Sequence, residues 1–109
     1  MLVNNIKNMV HGWFVGNFAP SVLQTPDFEV GYKLHTKGEQ WPVHYHQKAT
    51  EITYLIRGKM KIQNKVLTSG DIFTIFPGEI ADPVFLEDCE VIIVKMPSVI
   101  GDKHIVETT

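Results

Sequence analysis

Apolar and polar residues alternate in short runs along this chain, and turn residues break the runs every few positions. The breaks are Gly38, Gly58, Asn64-Lys65, Ser69-Gly70 and Pro77-Gly78. Between them lie segments rich in Val, Ile, Thr, Tyr and Phe. Many short β-prone runs at regular spacing predict an all-β sandwich or barrel. No stretch keeps a helical period over three turns, and Gly or Pro interrupts the candidates. Strands are expected over residues 28–35, 51–57, 59–64, 66–68, 71–76, 81–86 and 89–96. Residues 13–18 form a first strand or an arm. In the 28–35 segment Phe28, Val30, Tyr32 and Leu34 share one face. So many short strands leave unpaired edges unless the sheet closes, and closure creates an interior lined by alternate residues.

The chain has 109 residues, of which 44% are hydrophobic. That suits one domain with one core and is too short for two. We take 1–109 as a single domain, with 1–12 an N-terminal arm and 97–109 a C-terminal tail frayed at its last residues. The formal net charge of -2 gives no basic excess, and the lysines are scattered, so a nucleic-acid role is not expected. No run approaches the roughly 18 apolar residues of a membrane span, and residues 1–20 lack the apolar core of a secretory signal. A cytoplasmic location is expected. The lone cysteine, Cys89, lies in a strand-like run and reads as a small buried thiol.

Chemistry concentrates between residues 38 and 58. His44 and His46 are two apart, so on a strand both imidazoles face one way and Tyr45 the other. Glu51 follows at an odd spacing, which an unbroken strand would turn to the wrong face. The polar interval 47–50 can turn or bulge and bring it back by a hairpin-like reversal. Two imidazoles and a carboxylate with open positions suit Fe(II), and also Mn, Ni, Co or Zn.

The spacing of Gly38, His44, His46, Glu51 and Gly58 resembles the first motif of the cupin superfamily at every position. The resemblance implies a double-stranded β-helix, often a homodimer, with a divalent metal near one end of the lumen held by His44, His46 and Glu51. The second cupin motif is partly present in Gly70-Asp71 and Pro77-Gly78. Its histidine slot falls on Ala81, and Phe85 stands where an Asn often closes it. Either three protein ligands suffice, or Asp82 substitutes through a local bulge beside Pro83.

Other residues have simpler readings. His35 is expected as an exposed strand-end histidine, with entry into the site as the alternative, and His11 and His104 as solvated. Trp41-Pro42 suits a cavity rim, Arg57 the surface, and Asp71 a turn in which its carboxylate accepts backbone N–H groups. Tyr32, Tyr45 and Phe76 are further aromatic candidates for a pocket wall. The expected function is a metal-dependent enzyme of dioxygenase or isomerase type acting on a small polar molecule. The alternative is a non-catalytic module that binds a small sugar or carboxylate, with or without metal. Storage is disfavoured by the short chain with one barrel and no disulfide.

Overall fold

The computed structural model describes residues 1–107. Its strands are β1 (Trp13–Gly16), β2 (Leu23–Gln24), β3 (Glu29–His35), β4 (His44–His46), β5 (Thr50–Arg57), β6 (Lys59–Ile62), β7 (Lys65–Thr68), β8 (Ile72–Ile75), β9 (Val84–Phe85), β10 (Cys89–Met96) and β11 (Lys103–Ile105). One layer is a six-stranded sheet in the order β2-β1-β3-β10-β5-β8. The facing layer is made of β7-β6-β9 and the pair β11-β4. His44 and Ala81 join its two parts by exchanging backbone hydrogen bonds, at 3.0 and 2.7 Å.

Alternation decides what each layer buries. From β5 and β10, Leu55, Val91 and Ile93 point inward and meet Met60 of β6 and Phe85 of β9. Leu55 is fully shielded from solvent. Ile62, Ile75 and Ala81 make a second, smaller cluster. Cys89 joins the main core, and burial raises its thiol pKa, so it is the inert packed thiol the sequence predicts.

Residues of the opposite parity face out. On β3 these are Val30, Tyr32 and Leu34, while Lys33 and His35 face the lumen, and the cavity also touches Tyr32 and Leu34. The more hydrophobic side of this strand is therefore its outer side. Leu34, Tyr54 and Ile72 are 65%, 42% and 66% exposed on the same sheet face. At its edge the Tyr32 hydroxyl donates to the Glu90 carboxylate, which also meets Arg57 at 3.8 Å. Arg57 is exposed, as expected.

Two turns are held by carboxylates. Asp71 accepts the Thr68 N–H at 2.8 Å, as its place after Gly70 predicts. Asp102 accepts the backbone N–H groups of Gln47, Lys48 and Ala49, at 2.9 to 3.2 Å. Residues 103–105 pair with β4 in the register Lys103↔His46, Ile105↔His44. The segment expected as a tail thus supplies a strand and a buried cap. The fraying expected at the last residues falls on Thr108 and Thr109, outside the described residues. Residues 1–10 are mostly exposed, with one 3-10 turn at Ile6–Asn8.

Candidate functional site

The lumen holds a cavity of about 880 Å³. That lies within the roughly 300–1,000 Å³ of small-molecule sites. Its apolar wall is Met60, Ile62, Phe73, Phe85, Val91 and Ile93, and its polar groups cluster on β3, β4, β5, β10 and β11.

His44 and His46 both face this cavity and are 8% and 5% exposed. Tyr45 points away and stacks on His104 at 5.1 Å, so His104 is packed rather than free in solvent. The interval 47–50 does not make a hairpin. It carries the chain from β4 in one layer to β5 in the other, and the Asp102 cap fixes that corner. Glu51 consequently faces back toward β4, with its Oε2 3.4 Å from Nδ1 of His46. The two imidazoles stand edge to face, 5.4 Å between centroids. The structure thus gathers all three residues at one end of the lumen. Among the described residues, no group of three His, Cys, Asp or Glu side chains converges closely enough to hold an ion as the side chains stand.

The donor chemistry nevertheless fits a metal. Nδ1 of His44 donates to the Pro42 carbonyl at 2.9 Å, which leaves Nε2 as the free lone pair. Burial lowers the His44 pKa, with Lys103 and Lys95 adding to the effect against the Pro42 bond. Burial, then Lys95 and His44, push His46 down to about 4. Both rings are neutral near pH 7, the form that ligates. Burial raises the Glu51 pKa, opposed first by Lys95.

These shifts set a pH dependence. The His46 value of about 4 lies below the roughly 6.5 of an unfolded histidine. The unfolded chain therefore takes the proton first. The stability carried by neutral His46 is complete above about pH 6.5 and is lost as the pH falls toward 4. Glu51 works oppositely, since its raised value costs stability as the pH climbs through the ordinary carboxylate range. We expect the His46 ring proton signals to titrate with a midpoint near 4 in a nuclear magnetic resonance series. A midpoint near 6.5 would show that the ring is solvated.

The residues offered by the second motif separate cleanly. Ala81 sits in the histidine slot, lines the cavity and is hydrogen-bonded across to His44. Its methyl leaves that position without a donor. Asp82 does not reach the cavity. Its carboxylate instead accepts the Gln63 N–H at 2.8 Å, because one step along the chain reverses the facing and Pro83 introduces no compensating bulge.

His35 departs from its expected exposed position. It is 8% exposed, stacks on Phe85 at 4.2 Å and lines the cavity. Its Nδ1 is 2.5 Å from Glu39 Oε2, and the same carboxylate accepts the Trp41 indole N–H and the Thr36 N–H. Burial works to raise the Glu39 pKa, yet the Trp41 and His35 bonds outweigh it and hold the group ionised. This buttress locks Trp41 and His35 into the cavity wall. The parity shared by Lys33 and His35 was the signal for it, since Lys33 is also inward. His11 reaches the rim and Tyr32 contributes to the wall, whereas Phe76 is exposed.

Solved structures share this arrangement of strands. An uncharacterized conserved protein with a double-stranded beta-helix domain from Klebsiella pneumoniae superposes with a TM-score of 0.69 at 22% identity, covering 80% of this chain and 76% of that one. An RmlC-like cupin from Shewanella frigidimarina gives 0.60 at 23%, covering 71% of each. The chain has the cupin fold. The DMSP lyase DddQ from Ruegeria pomeroyi also superposes on this chain, with a TM-score of 0.69 at 12% identity, over 84% of this chain and 48% of that one. No family model and no curated protein matches the sequence. Among the described residues, no helix is long and apolar enough to cross a membrane.

Proposed function

We propose that this cupin binds a small polar molecule in its lumen and that His44, His46 and Glu51 hold a divalent transition metal ion beside it. The observation that carries the reading is the pair of buried, neutral imidazoles, one fixed by the Pro42 carbonyl, gathered with Glu51 at one end of the cavity. Three clustered residues of this type are costly to line an apolar lumen without a partner. A bound ion would supply Lewis-acid polarisation of a substrate oxygen, activation of water, or, if iron, dioxygen chemistry.

The chain's own groups then have distinct tasks. His44 and His46 offer lone pairs, and the Glu51 carboxylate offers negative charge. Glu39 holds Trp41 and His35 as a rigid wall, which orients a ligand and excludes water from one side. The apolar residues of β6, β8 and β9 close the other side. An enzyme of isomerase or dioxygenase type fits this arrangement. DddQ, named as a lyase, shows that the same fold carries an enzyme.

Metal analysis by plasma mass spectrometry tests the reading. Protein without a His-tag is expected to carry near-stoichiometric metal, and the His44→Ala/His46→Ala variant none. No metal in either protein after reconstitution with Fe, Mn, Ni, Co or Zn would overturn it. The metal-free binding module would then stand, a second reading favoured by Ala81 in the third-histidine slot and by the open spacing of the three side chains.

A further inference from the structure

Among the described residues, two of the lysines that line the lumen have no carboxylate in contact, which the three candidate ligands do not explain. Lys33 on β3, Lys95 on β10 and Lys103 on β11 all line the cavity. Lys95 is neutralised by Glu29, with Nζ 2.9 Å from its carboxylate. Lys33 and Lys103 have no carboxylate within 4.0 Å among the described residues. Of the two acids that line the cavity, Glu39 is taken up by His35, Trp41 and Thr36, and Glu51 lies beside His46.

The two free ammonium groups are nevertheless held in place. Lys103 Nζ lies 4.6 Å from the Trp41 ring centroid, and Lys33 Nζ lies 5.9 Å from the same ring and 5.0 Å from that of Trp13. The indole faces attract cations and so position both charges over one aromatic platform. Lys33 is half-buried and Lys103 exposed, and like charges held beside one ring are stabilised by a counter-charge between them. Burial, then Lys95 and Lys103, lowers the Lys33 pKa against Glu51 and Glu39, and burial, then Lys95, lowers that of Lys103 against Glu51.

We propose that Lys33 and Lys103 form an anion site over Trp41, which grips the acid group of a small organic acid whose apolar body lies along the lumen. This rests on the reading of the cavity as a ligand site and names the class of ligand it takes. Carboxylate and phosphate share the required charge, and lysine pairs with either as a point charge.

The test uses three probes of one shape: benzoate, phenyl phosphate and the neutral benzamide. Binding is followed by the indole N–H signals of Trp13 and Trp41. At least one anion is expected to bind about tenfold or more tightly than benzamide, the effect of roughly one charged contact. The Lys33→Met/Lys103→Met variant keeps the apolar stems, and in it the anion preference should vanish while benzamide binding persists. Whichever anion binds more tightly names the headgroup. Equal binding of anions and benzamide, or a preference that survives the substitutions, would overturn the anion site and leave the cavity reading intact. No response to any probe would overturn both. Thermal melts of the variant, and of each single substitution, separate lost binding from lost folding. The substitutions leave His44, His46 and Glu51 in place, so metal content gives an independent check on the site beneath.

Discussion

Asp102→Ala is expected to destabilise the protein by on the order of 3–5 kcal/mol, the cost of removing a buried, multiply bonded carboxylate and stranding its partners. Three backbone N–H groups at the corner between β4 and β5 lose their acceptor together. Burial alone would raise the Asp102 pKa, but the bonds from Ala49, Lys48 and Gln47 hold it below the ordinary aspartate value. Its stabilising effect is therefore present above about pH 4 and lost as acid protonates the group. In a chain of this size the loss corresponds to a fall in melting midpoint of roughly 10–20 °C. Asp102→Asn keeps one acceptor oxygen and should recover part of it. Calorimetry on both variants checks the ranking, and an unchanged midpoint in Asp102→Ala would show that water replaces the carboxylate. The effect reaches the site, because the same corner aims Glu51 at His46 and the next residue begins β11, which pairs with β4.

Gly58→Ala should cost about 3 kcal/mol or more. The backbone there has φ of 108°, a conformation side chains rarely adopt. A Cβ at Gly58 would stand 2.3 Å from the Asp88 carbonyl oxygen and 2.8 Å from the Cys89 Cα. Both are backbone atoms at the start of β10, Cys89 being its first residue, so relief requires the central strand to shift. Strain and overpacking add. A urea titration measures the loss, and a midpoint equal to wild type would refute the close approach. Gly70→Ala is the control, since φ is also positive there but a Cβ meets nothing within 4 Å. It isolates the backbone strain from the clash.

Much of this architecture is written in spacing. The alternation in residues 51–57 and 89–96 gives two central strands whose inner residues, Leu55, Val91 and Ile93, form the core. The interval from Gly38 to Gly58 places both histidines on one face and Glu51 opposite them. The loss of the third histidine is legible too, because Ala81 occupies its slot, but the alternative that Asp82 substitutes is overturned by its bond to the Gln63 N–H.

What the sequence hides has a common cause. On β3 the hydrophobic parity of Val30, Tyr32 and Leu34 faces outward, because the lumen there is a polar-walled cavity and not a packed core. An expectation that the apolar side faces in therefore leaves His35 outside. β11 is three residues of mixed polarity, and its alternation carries no signal. Its place comes from pairing with a distant strand and from the Asp102 cap, neither of which is a local property. The corner at 47–50 escapes for the same reason, since its carboxylate partner comes from the far end of the sequence.

The placement of Trp13 and Trp41 has a practical consequence. The chain has two tryptophans, and both pack against the lysines that line the lumen. Indole emission responds to charge and polarity beside the ring, so the protein's ultraviolet fluorescence originates where a ligand would sit. A collection of unlabelled compounds could be screened by light emission alone, with the protein acting as its own optical sensor.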